Sequence, residues 1–407
     1  MKKRILALFV ALLSLTITTT SCSSDDNTTE IVQRESKLTV NLKSDKIKEF
    51  LKVDLTITET NTGKVTQEKL EGGQSSISLL TGSYKIVLDG RAISIDDEEI
   101  GVGGTTVVDL VKETQSVEIE VVAKAFNDDF IIEEIFFVGV RTLEDKSFNN
   151  SKYFKIVNNT DKVLNTGGLL ILQSEFLSNV NNNVTPDKRS SAMAVKGVIM
   201  IPSDLGKDVA PGDFIIVADN AVDHRTPNVP AFDLSKADYE YPNLENPKLG
   251  QVDNPLIPNV PVIYSTMNFN MFFMNNRGTE SFALARFPKG EDPETWMTNY
   301  KYDYEYPNKA GKITKKSVYE VPNSWIIDGV NLAIKEEINL VILDPSIDNG
   351  WTGIGDVNHD KTRFGKTVRR KVIGTNSEGR NIYKDTNNSV EDFVQASEPS
   401  VANGIVH

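Results

Sequence analysis

From Lys37 onward, apolar and polar residues alternate along the chain with a period of two. In residues 116–122 (SVEIEVV), Val117, Ile119 and Val121 alternate with Glu118 and Glu120. Such a strand turns one face to a core and the other to water. Residues 53–58 (VDLTIT) repeat the pattern, and Asn61-Thr62-Gly63 supplies a turn after them. In residues 80–90 (LTGSYKIVLDG) a glycine turn precedes a strand with Tyr84, Ile86 and Leu88 on one face. These elements predict a small β-sandwich over residues 37–125, an ordinary domain size.

A polar break, FNDD at 126–129, opens a second unit over residues 127–407. Strands are expected at 131–140 (IIEEIFFVGV) and 153–158, with a polar loop at 144–151 between them. Two stretches near 219–268 and 288–323 are rich in Pro, Asn and Asp and read as long loop insertions. On a sandwich such insertions lie at the surface, where specific binding is commonly built. The expected fold is therefore all-β, two β-sandwich domains in tandem with long loop insertions in the second.

The second insertion contains YKYDYEYP at 300–307. Period two puts Tyr300, Tyr302, Tyr304 and Tyr306 on one face, a row about 20 Å long. Aromatic faces in such a row can stack on sugar rings or receive a partner's side chains. They can equally pack on the sandwich with their hydroxyls in water. Together with Tyr239, Tyr241 and Trp296 from the same insertions, they form the candidate ligand-binding set.

Residues 1–21 have the layout of a secretory signal peptide: Lys2, Lys3 and Arg4, an apolar run at 5–13, then small hydroxyl residues. The single cysteine of the chain, Cys22, follows directly. Thr19-Thr20-Ser21-Cys22 resembles the lipobox of bacterial lipoproteins, although Thr19 stands where that pattern has a Leu-like residue. The resemblance implies that Cys22 carries lipid and that residues 22–36 are a tether. Ser23-Ser24-Asp25-Asp26-Asn27 resembles the acidic export signal that sends lipoproteins of the Bacteroidetes to the outer cell surface. The expected location is the outer membrane, facing the exterior, held by a lipid anchor. With one cysteine, no disulfide can form within the chain. Removal of residues 1–21 leaves 41 basic against 57 acidic side chains, a net charge of −16. A surface of that sign repels phosphate backbones, which argues against nucleic acid as a partner.

Several motifs carry a wider resemblance. The segment at 80–90 is similar to an edge strand of transthyretin-like and carboxypeptidase-regulatory-like sandwiches. KYFKIVNNTDKVLNTGGLLIL at 152–172 resembles the opening of lamin-tail domains, which are immunoglobulin-like. The same pattern is matched by VAPGDFIIVAD at 209–219, NRGTESFAL at 276–284, IIDGVNL at 326–332, SVEDF at 389–393 and PSVANG at 399–404. With RFGKTVRRK at 363–371 and DTNNSVEDF at 385–393, the region from about 128 to 404 most resembles the DUF4876 lipoproteins of Bacteroidetes. That family has no assigned activity, and its setting among surface lipoproteins and outer-membrane receptors implies a location; the expected partner, met through the insertions, is an outer-membrane receptor, a surface glycan or a peptide.

Candidate chemistry is sparse. The three histidines, His224, His359 and His407, accompany no recognisable nucleophile elbow. Asp356, Asn358 and Asp360 alternate like the start of a calcium loop, but Lys361 replaces the turn glycine and Thr367 the closing glutamate. They make a weak candidate metal site for calcium or magnesium, with a solvated Asp/Asn turn as the alternative. Arg369-Arg370 suits internal ion pairs with residues such as Asp385 or Asp392, and Asn387-Asn388-Ser389 a side-chain-capped turn. No resident cofactor and no catalytic residue are assigned. The sequence points to a non-catalytic surface lipoprotein, a binding or accessory component of an outer-membrane complex. The alternatives are a glycan-binding module and a metal-assisted hydrolase using Asp356, Asn358 and Asp360.

Overall fold

The computed structural model describes residues 34–407 except positions 71, 96, 98, 125, 126, 309 and 377. The expected signal peptide, Cys22 and residues 22–33 of the expected tether lie outside the described residues. The chain is all-β, arranged in several sheets.

The first unit packs a three-stranded sheet, ordered Gln74–Leu80, Glu35–Lys43, Thr114–Glu120, against a five-stranded one. The latter is ordered Val65–Leu70, Ile47–Glu59, Gly82–Ser94, Glu99–Leu110, Val122–Lys124. Alternation decides which face is buried: Tyr84, Ile86 and Leu88 enter the core while Lys85 and Val87 stay outside. Ile119 and Val121 do the same between exposed Glu118 and Glu120. Between Glu59 and Lys64 the turn closes through Lys64 O, which accepts the Glu59 amide at 2.9 Å. Gly63 sits in that turn at φ +71°, a conformation that favours a residue without Cβ.

In the second unit a six-stranded sheet faces a seven-stranded one. The first is ordered Tyr239–Glu240, Phe214–Ala218, Tyr153–Val157, Ile131–Phe136, Thr367–Arg370, Phe393–Ser397. The second is ordered Lys301–Pro307, Ile313–Pro322, Ala192–Met200, Leu169–Leu177, Glu280–Arg286, Ile326–Asn331, with Val262–Ser265 also paired to Ala192–Met200. Phe130, Ile132, Ile156, Val217 and Val368 meet Ile171, Ile199, Phe282, Leu284 and Val330 in the shared core. Both sheets are covered on their outer faces too. Leu170, Leu172, Val195, Ala283 and Trp296 form one outer cluster; Phe136, Tyr153, Ile216, Phe232 and Leu234 form another.

That second covering changes the reading of the insertions. Residues 288–323 are not a surface loop: they hold the helix Pro293–Asn299 and the hairpin Lys301–Pro307/Ile313–Pro322, which extends the seven-stranded sheet. Trp296 is fully buried and its indole donates to Glu320 O at 2.9 Å. Tyr239 and Tyr241 are buried in the shared core. These three side chains therefore cannot belong to an exposed ligand patch. A sheet that is apolar on both faces must be covered on both, and the insertions supply part of the cover.

Several charged groups inside this core are paired. Arg370 has a side chain only 1% exposed and pairs with Asp328 at 2.7 Å, Asp385 at 2.9 Å and Asp392 at 3.4 Å. Its guanidinium also donates to Ile132 O and Lys384 O and lies 4.8 Å from the Phe393 ring centre. Arg370 is on one sheet and Asp328 on the other, so the cluster ties the two layers together. Buried Glu133 takes Arg369 at 2.9 Å and Lys155 at 2.7 Å. Between the units, Ile373 of the hairpin Val372–Thr375/Asn381–Tyr383 packs against the core of the first. No helix among the described residues is long and apolar enough to cross a membrane.

Candidate functional site

The site begins with a helix that stops early. Asp292 caps Pro293–Asn299, accepting the Thr295 amide at 2.8 Å, with Pro293 in the first turn where its missing N–H costs nothing. After one further residue the chain becomes the strand Lys301–Pro307, paired Tyr302 to Val318, Tyr304 to Lys316 and Tyr306 to Thr314. Asn308 forms the hairpin turn, its side-chain oxygen accepting the amides of Ala310 and Lys312.

Three of the four tyrosines of the row share a face. Tyr304 is buried between half-buried Tyr302 and Tyr306, with ring centres at 6.2 and 6.1 Å, the latter pair stacked at 20°. Phe176 meets Tyr304 edge-on at 5.5 Å. Tyr300 stands apart: it precedes the strand, packs on Trp325 at 4.7 Å and donates its hydroxyl to Glu291. Period-two spacing places it with the others only if the strand begins one residue earlier than it does.

Charge surrounds these rings in matched pairs. Tyr304 Oη donates to Glu175 at 3.1 Å, and Lys316 lies 3.6 Å from the same carboxylate. Lys188 lies 4.3 Å from the Tyr302 ring centre and 2.7 Å from Glu320. Burial first, then the adjacent carboxylates, push the Tyr302 and Tyr304 hydroxyls well above the usual phenol range, so both stay protonated.

Beside the row the loop after Leu169–Leu177 arches over a cleft of about 450 Å³. Thr185 and Glu305 exchange two backbone hydrogen bonds of 2.8 and 2.9 Å, pinning the loop to the edge strand. Asp187 and Arg189 pair at 2.6 Å, and Arg189 also donates to Val341 O. Asn181 accepts the amide of Asn183, which sits at φ +50°. The side chains of Asn182 and Asn183 and the hydroxyl of Tyr306 make no hydrogen bond within the described residues and border the cleft. The row was legible in the sequence; Phe176 and the three asparagines were not singled out, although the run Asn181-Asn182-Asn183 was itself a signal. A wider cleft of about 830 Å³ lies at the junction of the two units and shares no residue with this one.

Asp356, Asn358 and Asp360 do not converge. Asp356 pairs with Lys335 at 3.3 Å, Asn358 bonds to Glu337, and Asp360 caps the short turn Lys361–Arg363 through Thr362. Among the described residues no group of three His, Cys, Asp or Glu side chains is placed to hold a metal ion. The alternation seen in the sequence is that of a capped turn. His224 is buried, its Nε2–H donating to Asn220 O at 2.8 Å, and burial holds its pKa below the usual value. Asn388 caps Ser389–Asp392, accepting the Val390 amide.

Comparison with known proteins places the architecture. The chain resembles a crystal structure of a DUF4876 family protein from Bacteroides thetaiotaomicron VPI-5482, with TM-score 0.60 and 19% identity over 90% of this chain and 95% of that one. A structure from Bacteroides ovatus ATCC 8483, described as "a putative adhesin", aligns over 75% of this chain and 88% of that one at 10% identity, with a TM-score of only 0.17. No functionally curated protein matches. The model of the family of unknown function DUF4876 matches residues 210–400, which include the hairpin of the tyrosine row and the Arg370 cluster. Residues 210–400 are thus identified with the DUF4876 family, and the chain shares the fold of the Bacteroides thetaiotaomicron member.

Proposed function

We propose that the protein is a non-catalytic, lipid-anchored binding protein of the outer cell surface, an accessory component of an outer-membrane complex. The observation that carries the reading is the tyrosine cleft: aromatic rings, matched charges and unpaired amides gathered on a strand pair and a pinned loop. Rigid elements of this kind suit recognition. The anchor follows from Cys22 and the residues around it. Cross-linking in intact cells, followed by capture of the tagged mature chain and mass spectrometry, should recover one outer-membrane protein in near-equal amount. Cys22→Ser should release the chain from the membrane fraction. Recovery of nothing above background, or a Cys22→Ser chain that stays membrane-bound, would overturn the reading.

A further inference from the structure

We infer that the tyrosine cleft takes a neutral carbohydrate, a short oligosaccharide without carboxylate, sulfate or amine groups. The inference rests on reading the cleft as the ligand site and specifies what enters it.

Charge is the first discriminator. The four ionic side chains that line the cleft are two acids and two bases, and each is already matched: Asp187 with Arg189 at 2.6 Å and Glu175 with Lys316 at 3.6 Å. Both pairs are part-exposed, so a charged ligand would have to compete with water and with a partner already in place for little gain. A ligand without charge leaves both intact.

The groups that remain unpaired are of a different kind. Asn182, Asn183 and the Tyr306 hydroxyl offer donors and acceptors in equal measure, the complement of a ring of hydroxyl groups, each of which also both donates and accepts. Tyr306 is half-buried and backed by Tyr304 in a near-parallel stack, so its outer face is held rigid. A rigid aromatic face covers the apolar C–H side of a pyranose at little entropic cost. The cleft, about 450 Å³, is in the range of small-ligand sites.

A peptide fits less well. The customary way for an extended peptide to bind a sheet is to add to its edge, and Lys301–Pro307 is the edge strand of its sheet. At Glu305 that edge is already taken by Thr185, which accepts and donates the two backbone bonds a peptide would need.

The test is retention of the mature chain on an array of neutral, acidic and amino oligosaccharides, with peptides of the same length as a parallel arm. Retention is expected on neutral glycans. Tyr306→Ala should weaken it at least tenfold, whereas Tyr306→Phe, which keeps the ring, should lose less than threefold. Asn183→Asp, which places an unmatched charge at the mouth, should weaken it without altering the melting temperature. Retention on acidic glycans or peptides only, on none of the probes, or equally by Tyr306→Ala would overturn the inference. A chain that fails this test yet still captures an outer-membrane partner leaves the binding-protein reading standing, so the two failures are distinguishable.

Discussion

Replacing Arg370 by methionine should be the most damaging single change in the second unit that leaves side-chain volume nearly unchanged. The guanidinium pairs with three carboxylates: Asp328 and Asp392, each 1% exposed, and Asp385 at 8%. It also gives hydrogen bonds to the carbonyls of Ile132 and Lys384. Removing one partner of a buried ion pair costs about 3–5 kcal/mol, and each buried acceptor left without a donor adds about 1–3 kcal/mol. With two carbonyls stripped as well, the expected loss lies at or above the upper end, ~5 kcal/mol or more. All three tryptophans, Trp296, Trp325 and Trp351, belong to the second unit, so their fluorescence during urea unfolding reports that unit alone. Arg370→Lys should recover only part of the loss, because one ammonium cannot serve three carboxylates and two carbonyls in a plane. A loss under about 1 kcal/mol for Arg370→Met would refute the view that the cluster holds the two sheets together.

Trp296→Ala should cost about 3–5 kcal/mol by emptying a fully buried site, whereas Tyr306→Ala, at the cleft mouth, should stay within about 1 kcal/mol in the same urea titration. Gly353→Ala should be strongly destabilising or prevent soluble expression, since its Cβ would stand 1.9 Å from the backbone oxygen of Ala333. His224 has a folded pKa below its unfolded value of 6.5 because it is buried. The unfolded chain therefore binds the proton more readily, and stability present above pH 6.5 is lost as pH falls toward the folded pKa. Melting curves of the wild-type chain and of His224→Gln between pH 7.5 and 5.5 should differ by this slope, the wild type losing more stability on acidification.

Much of the first unit was legible because its strands have one wet face. Residues 84–88 and 117–121 announce their burial through alternation, and the structure buries the residues that alternation selects. In the second unit that signal fails for a physical reason. Ile131–Phe136 is buried at every position, including Glu133 and Glu134. Two adjacent acids in a strand read as solvent-facing until Arg369, more than 230 residues away, is seen to satisfy them. The same limit explains the insertions. Pro, Asn and Asp mark their turns correctly, but whether the segments between turns cover a sheet depends on the sheet having an apolar outer face, which no local pattern states. Tyr302, Tyr304 and Tyr306 kept the face that spacing assigned them, because a strand's period is fixed by geometry; Tyr239, Tyr241 and Trp296 were grouped with them by composition alone, and composition does not fix burial.

The parallel pairing of Glu35–Lys43 with Thr114–Glu120 has a mechanical consequence. A pull applied between the start of the first unit and its exit toward the second draws these strands apart lengthwise. The two points of load lie at opposite ends of the pair, so the bonds along all seven registered positions, Lys37 with Thr114 through Lys43 with Glu120, are strained together rather than one after another. The short strand Val122–Lys124, held antiparallel by Gly101, Val102 and Gly103, would peel off first and act as slack. Beyond that point the unit resists as a shear clamp. A module so wired suits a position in series between a fixed tether and a moving load, where a hairpin loaded at its open end would unzip.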